Sequence, residues 1–329
     1  MSRQDAWSIQ ITYGYDGMVA IDQYRQDKMD AFWHFVVERQ SIYHKRMVMQ
    51  ESPPWTEDYV LKQYFFTNVY RELDKGTIFL IRNILKIQDD KDLLFAIMVY
   101  RLFNDIDTFR FLWLRCKMVK WGTWDWERAS RYLNAYENHG NRVFTDAFTV
   151  TGVKFGGFPD KIRNICWLVG NLQARTPTLL AALKSANTLK RVWQIFNDTE
   201  GFGRFLAYEL AIDCNYSRLL DFNENDWVNA GPGCKRGILW IWGARDSSVK
   251  WEDYITFLQV QQEAFIQGID RLDEWHSVWP GYRMTLRGIE HSLCEFQKYA
   301  RVRYHTNPDG TPSRAATRKY IPSHQLTSV

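Results

Sequence analysis

Residues 200–211, "EGFGRFLAYELA", decide how the chain is read. Glycine costs roughly 1 kcal/mol in a helix interior relative to alanine. Gly201 and Gly203 therefore mark a turn whose backbone takes a positive φ or lets another group come close. Before them, "ANTLKRVWQIF" at 186–196 carries apolar residues at helical spacing, and after them "RFLAYELAIDC" at 204–214 does so again. The stretch 186–214 reads as helix, turn, helix. Gly201-Phe202-Gly203 followed by Ala207 has the Gly-apolar-Gly-x-x-x-Ala spacing of a helix-hairpin-helix. Such a turn faces backbone N–H groups outward beside a helix N-terminus, and Arg204 adds a cation, which together suit a DNA phosphate. An αα-turn that binds nothing fits the same residues.

Working outward, most of the chain carries helical periodicity. Helices are expected over 27–50, over 57–86 as two helices broken near Gly76, and over 90–121. Thr123 is the expected cap of a helix over 124–138 that Gly140 ends. Further helices are expected near 160–174, 177–196, 251–275 and 284–304. Strand signals are confined to "SIQITYGY" near the start and "RVFTDAFTV" at 142–150. The expected fold is mainly α, in two lobes, with no linker that cleanly splits it. An N-terminal segment (1–27), a helical domain (28–305) and a polar, Pro-containing tail (306–329) are the expected divisions.

The 329 residues carry a net charge of +4, which is compatible with nucleic acid without requiring it. Aromatics reach 16%, with 15 Trp; they fill a large helical core and leave some rings for stacking on flat ligands. The five cysteines, Cys116, Cys166, Cys214, Cys234 and Cys294, form no CxxC pair, which fits a reducing cytoplasm and argues against a zinc ribbon. The start "MSRQDAWSIQ" has no signal-peptide character and no apolar run reaches the roughly 20 residues of a spanning helix. A cytoplasmic protein without a membrane partner, a metal or a cofactor is expected.

A second glycine cluster lies in "AGPGCKRGI" at 230–238. Gly231-Pro232-Gly233 followed by Lys235 and Arg236 reads as a rigid basic loop, either solvated or holding a nucleic-acid phosphate. GxxxxGK[ST] occurs nowhere, which disfavours a P-loop kinase. Asp226 lies 23 residues beyond Gly203, a spacing like that of the catalytic Asp of helix-hairpin-helix DNA glycosylases.

Charges also interrupt apolar helical stretches. Glu38 and Arg39 follow "FWHFVV"; Asn68 and Arg71 lie three apart; so do Arg101 and Asn104. A buried Arg is expensive unless carboxylates or an anion pair with it. These residues either converge on one polar pocket suited to bidentate capture of phosphate or carboxylate, or form a structural network such as Glu38 with Arg71. In "RGIEHSLCEFQKY", His291 and Glu295 stand at i, i+4 beside Glu290: a general base with its orienting partner, or a tie between the last helix and the core.

Six blocks taken in order, "FVVERQSIYHKR", "QYFFTNVYRELDKGTIFLIRNI", "LLFAIMVYRLFN", "GFGRFLAYELAIDCNYS", "AGPGCKRGI" and "IEHSLCEFQKY", resemble the alpha-glutamyl/putrescinyl thymine pyrophosphorylase family. The same helical module is attached to phage 5-hydroxymethyluracil DNA kinases. The resemblance spans about residues 28–304; the hairpin within it makes the expected helical fold DNA-glycosylase-like. The resemblance implies a phage enzyme of thymidine hypermodification. That enzyme would act on 5-(pyro)phosphomethyl-deoxyuridine in duplex DNA, replacing the (pyro)phosphate with the amine of an amino acid, glycine first among them. The partners implied are double-stranded DNA and a free amino acid. On this reading, Glu38, Arg39, Asn68, Arg71, Arg101, Asn104, Asp226, Glu290, His291 and Glu295 are candidates for chemistry. Gly201, Phe202, Gly203, Arg204, Gly231, Gly233, Lys235 and Arg236 are candidates for DNA contact. A non-catalytic module that recognises modified bases and a DNA glycosylase are the alternatives.

Overall fold

The structure is a computed structural model that describes residues 21, 23–145, 155–267, 283–313 and 319. Among them are twelve α-helices and no named strand, so the mainly α expectation holds. "SIQITYGY" and 146–150 of "RVFTDAFTV" lie outside the described residues, as do 268–275 of the helix expected over 251–275 and most of the tail. The chain divides into two compact units, 1–71 with 230–329, and 72–229.

The first unit holds α1 (Gln26–Tyr43), α2 (Tyr59–Gln63), α10 (Pro232–Trp242), α11 (Trp251–Ile266) and α12 (Leu286–Tyr304). Its densest contact is α10 on α12, and glycine makes it possible. A Cβ on Gly237 would stand 2.3 Å from the Leu293 carbonyl oxygen, and one on Gly233 would stand 2.3 Å from Cys294 Sγ. "GPG" is thus the start of a helix, which corrects the expected loop. Gly231 is its N-cap and Pro232 its first residue, a position where the missing N–H costs nothing. Phe32 and Phe35 of α1 pack on Phe296 of α12, with ring centroids 5.4 and 6.2 Å apart. Each fully buried ring of this kind contributes roughly 1.5–3 kcal/mol. After α12, residues 306–313 fold back on themselves, Asn307 N–H bonding Thr311 O at 2.7 Å, and Lys319 bridges to Tyr64.

The second unit holds α3 (Lys75–Asn83), α4 (Asp90–Phe103), α5 (Ile106–Arg110), α6 (Trp126–Asn138), α7 (Lys161–Lys184), α8 (Leu189–Asn197) and α9 (Arg204–Asn215). Every residue of α4 from Leu93 to Phe103 is buried, and α7 and α9 both pack on it. Asp89 caps its start by accepting from the Lys91 and Asp92 N–H groups at 2.9 Å. Asn104 stops it in the left-handed region (φ 50), so the single helix expected over 90–121 is broken there.

Other boundaries are corrected as well. Residues 64–70 are not helical, because α2 ends at Gln63; Asn68 and Arg71 therefore share no helix face. Gly76 sits inside the first turn of α3, where Tyr100 Oη donates to its carbonyl at 2.9 Å. Asp125, not Thr123, caps α6; the Thr123 hydroxyl instead closes the preceding turn onto the Met118 and Lys120 carbonyls. α7 runs unbroken through Pro177. A proline at 177 cannot donate to the carbonyl four residues back. That carbonyl, Gln173 O, accepts instead from Trp121 Nε1 at 2.9 Å.

Candidate functional site

In the first unit, the end of α1, the segment 53–56, α2 and residues 64–66 enclose a cavity of about 380 Å³. Trp55, Tyr64, Phe65 and Phe66 give it aromatic walls, and Arg39, Arg46 and Lys62 bring three cations to it. Arg46 lies over the Trp55 ring at 5.3 Å. Arg39 is held rigidly. Its Nε and Nη2 donate to Phe66 O at 3.3 and 3.2 Å, and Nη2 donates to Asn68 Oδ1 at 2.7 Å.

A second cavity of about 340 Å³ shares the wall Pro54-Trp55-Thr56 with the first. Its lining is different in kind: Glu38, Glu57 and Asp58 with His34 and Lys45. Glu38 is buried and accepts from the Thr56 hydroxyl. Asp58 caps α2 through Val60 and Leu61 N–H at 2.8 and 3.0 Å and accepts from Tyr299 Oη at 2.6 Å. Burial alone would raise the Asp58 pKa. The nearby His34 ring, the Tyr299 hydroxyl and the two amides outweigh it and hold the carboxyl down at about 2, so Asp58 is ionised at neutral pH.

The C-terminal helix supports this arrangement at one remove. Thr67 Oγ1 is hydrogen-bonded to His291 Nε2 at 2.9 Å, and Thr67 N–H donates to Glu295 Oε2 at 3.2 Å. Thr67 lies between the two residues that hold Arg39. His291 and Glu295 are therefore hydrogen-bonded to the segment that holds Arg39. Glu290 is buried with Arg287, which donates to it, and accepts the Gly231 N–H at 3.2 Å. The α10 N-terminus thus faces an internal carboxylate at that donor. Of the cations after it, Arg236 is exposed and half-buried Lys235 lies over Trp251 at 5.6 Å. Burial pushes the Cys294 thiol up to about 12, helped by the charges of Glu295 and Glu290, which leaves it a packing residue.

Glu38, Arg39, Asn68 and Arg71 belong to the first unit, and Arg101 and Asn104 to the second. There Arg101, 3% exposed, donates from Nε and Nη2 to Asp213 Oδ2 at 2.8 and 2.5 Å and lies 3.9 Å from Glu209 Oε2. Asn104 accepts from Arg101 Nη1 at 3.2 Å and donates to Thr145 Oγ1 at 3.0 Å. Arg71 is buried at the start of a 3₁₀ turn, Arg71–Leu73. Asp226 stands exposed on a turn closed onto Asn223.

The 201–203 turn joins α8 to α9 as expected, but its two glycines serve different ends. Gly201 has φ +96, and a Cβ there would meet Leu168 Cδ2 at 2.5 Å. Phe202 is buried edge-on to Phe196 at 6.1 Å. Gly203 is exposed, with nothing within 4 Å of a Cβ, and is the N-cap of α9; exposed Arg204 follows, over Trp193 at 5.4 Å.

The family model of the 5-hmdU DNA kinase helical domain matches residues 26–308. The chain belongs to this family. Both cavities of the 5-hmdU DNA kinase helical domain lie inside the matched span, as do α12 and the α8–α9 turn. A 5-hmdU DNA kinase of Bacillus phage SP10 is 29% identical over 296 residues, which cover 83% of this chain and 45% of that protein. The chain thus spans less than half the length of this curated relative. No solved structure matches it.

Sequence reasoning missed the aromatic walls, Arg46 and Lys62, and the acids Asp58, Glu209 and Asp213. "SPPWTED" at 52–58 and "YFF" at 64–66 carried a usable signal: rings and acids in segments too short and too irregular to be core helix.

Proposed function

We propose that this member of the 5-hmdU DNA kinase helical-domain family is an amine-transferring enzyme of DNA modification. It takes 5-(pyro)phosphomethyl-deoxyuridine, flipped from duplex DNA, and replaces the (pyro)phosphate with the amine of an amino acid such as glycine. The observation that carries the reading is the pairing of two cavities of opposite character across one wall. The first lies within the roughly 300–1,000 Å³ usual for small-ligand sites. Its rings suit a base face, and its cations suit a departing phosphate. The second offers carboxylates to an incoming ammonium, and Lys45 a contact for that amino acid's carboxylate.

In the proposed reaction, the C–O bond from the 5-methylene carbon to phosphate breaks, and its electron pair leaves with the phosphate beside Arg39, Arg46 and Lys62. A C–N bond forms from the same carbon to the neutral amine. The amine must shed a proton to react, and Glu38, buried on the shared wall, is the proposed acceptor. The test is mass spectrometry of nucleosides after incubation with 5-phosphomethyluracil duplex DNA and a mixture of amino acids. A new nucleoside carrying one amino acid supports transfer, and Glu38→Gln should remove most of it; DNA recovered unchanged refutes it. The second reading is a non-catalytic module for modified bases, favoured by the 45% coverage of the phage relative. It expects retention of the modified duplex without any new nucleoside.

A further inference from the structure

The aromatic cavity has a rim that the reaction does not use. α1 gives way to a π-helical turn, His44–Val48, and the chain then reverses at Gln50, whose φ is +56. Met49 N–H bonds His44 O at 3.0 Å and Glu51 N–H bonds Lys45 O at 2.9 Å, so the reversal is hydrogen-bonded in place. At its tip, Met47, Val48 and Met49 are 41%, 57% and 55% exposed. Three consecutive large apolar side chains held in water on a fixed turn call for a partner. The turn begins beside Arg46 and ends before Pro53, and both of those residues line the aromatic cavity. Lys45 on the same turn lines the acidic one.

We propose that Met47-Val48-Met49 is a wedge that enters the base stack of duplex DNA when the target base occupies the aromatic cavity. The proposal rests on the reading that the base leaves the helix. Removing a base leaves a gap in the stack, and apolar side chains, methionine among them, are suited to fill such gaps and hold a step open. The tip adjoins both cavities through Arg46 and Lys45, so a duplex whose flipped base is seated there brings its stack to the tip. A protein or membrane partner would meet the same apolar tip but would make no use of the aromatic cavity beside it.

The test uses the full chain with Met47→Ser, Val48→Ser and Met49→Ser combined. These positions are exposed, so the melting temperature should be unchanged. Binding is followed by the fluorescence of 2-aminopurine placed next to 5-phosphomethyluracil, and transfer is followed on duplex and on single strand. Wild type should raise the fluorescence of the duplex and the triple variant should not. Duplex transfer should fall at least about tenfold, as expected for losing help with an unstacking cost of a few kcal/mol. Single-strand transfer should stay within about twofold. Equal losses on both forms, no loss on either, or no fluorescence change with wild type would overturn the wedge. Loss of co-sedimentation with phosphatidylglycerol vesicles while duplex behaviour stays intact would overturn it too. A fluorescence rise with no new nucleoside would leave the wedge standing and remove the transferase reading.

Discussion

Arg101 and Asp58 show how much a charged residue's meaning depends on its partner. Arg101 is buried and pairs with Asp213 and Glu209, while half-buried Asp58 lines a cavity. Arg101→Met removes one ion-pair partner of Asp213, which is fully buried. The expected loss is about 3–5 kcal/mol in denaturant unfolding. Adding Asp213→Leu should recover much of that loss, and a single variant as stable as wild type would exclude an ion-pair role. For Asp58 the sign follows from a pKa lowered from 3.8 to about 2. The folded state prefers the ionised form, so Asp58 contributes stability above pH 4. That contribution, roughly 2 kcal/mol or less, is lost as pH falls from about 4 to 2. Melting scans over that range should show a shallower decline for Asp58→Asn than for wild type. That Arg101 needs acids was legible in its sequence neighbourhood. Which acids was not, because Glu209 and Asp213 lie more than a hundred positions away on α9.

At the scale of elements, α8, the turn and α9 were readable because apolar period and glycine punctuation agree there. Gly201→Ala forces a side chain into a positive-φ position against Leu168 and should cost about 2 kcal/mol or more. Gly203→Ala sits at an open N-cap with ordinary φ and should cost under about 1 kcal/mol. If the turn holds a DNA phosphate, Gly203→Val should weaken DNA binding in a filter or anisotropy assay while the melting temperature barely moves. α10 was misread because "GPG" punctuates in both a loop and a helix start, and only the approach of Leu293 and Cys294 tells them apart. The helices expected near 160–174 and 177–196 are not parted at Pro177, because the Trp121 indole, distant in sequence, satisfies the carbonyl that the proline leaves without a donor.

For the whole molecule, a mainly α fold followed from periodicity, while its division did not. The first unit is discontinuous in sequence, so no single linker marks it. The cavities escaped notice for a related reason. They are built from α1, short segments and one turn of helix, none of which has a long-period signature. If DNA is the partner, association should depend steeply on salt, each neutralised phosphate adding roughly 0.9 to the log–log slope. Titrations of duplex at several salt concentrations should give a slope of several units; a flat response would remove the DNA partner.

The hydrogen bonds from Thr67 to His291 and Glu295 also set a timetable. Thr67 and His291 are 224 positions apart in the chain. At roughly 5–20 residues per second, a ribosome takes about 10–45 s to make the second after the first. The segment 72–229, being continuous, has all its residues available in that interval. The walls of the aromatic cavity, synthesised early, wait for their anchor, with Phe65, Phe66 and the Met47–Met49 turn exposed on the nascent chain. Residues 34–66 are therefore the stretch where a chaperone would be expected to act.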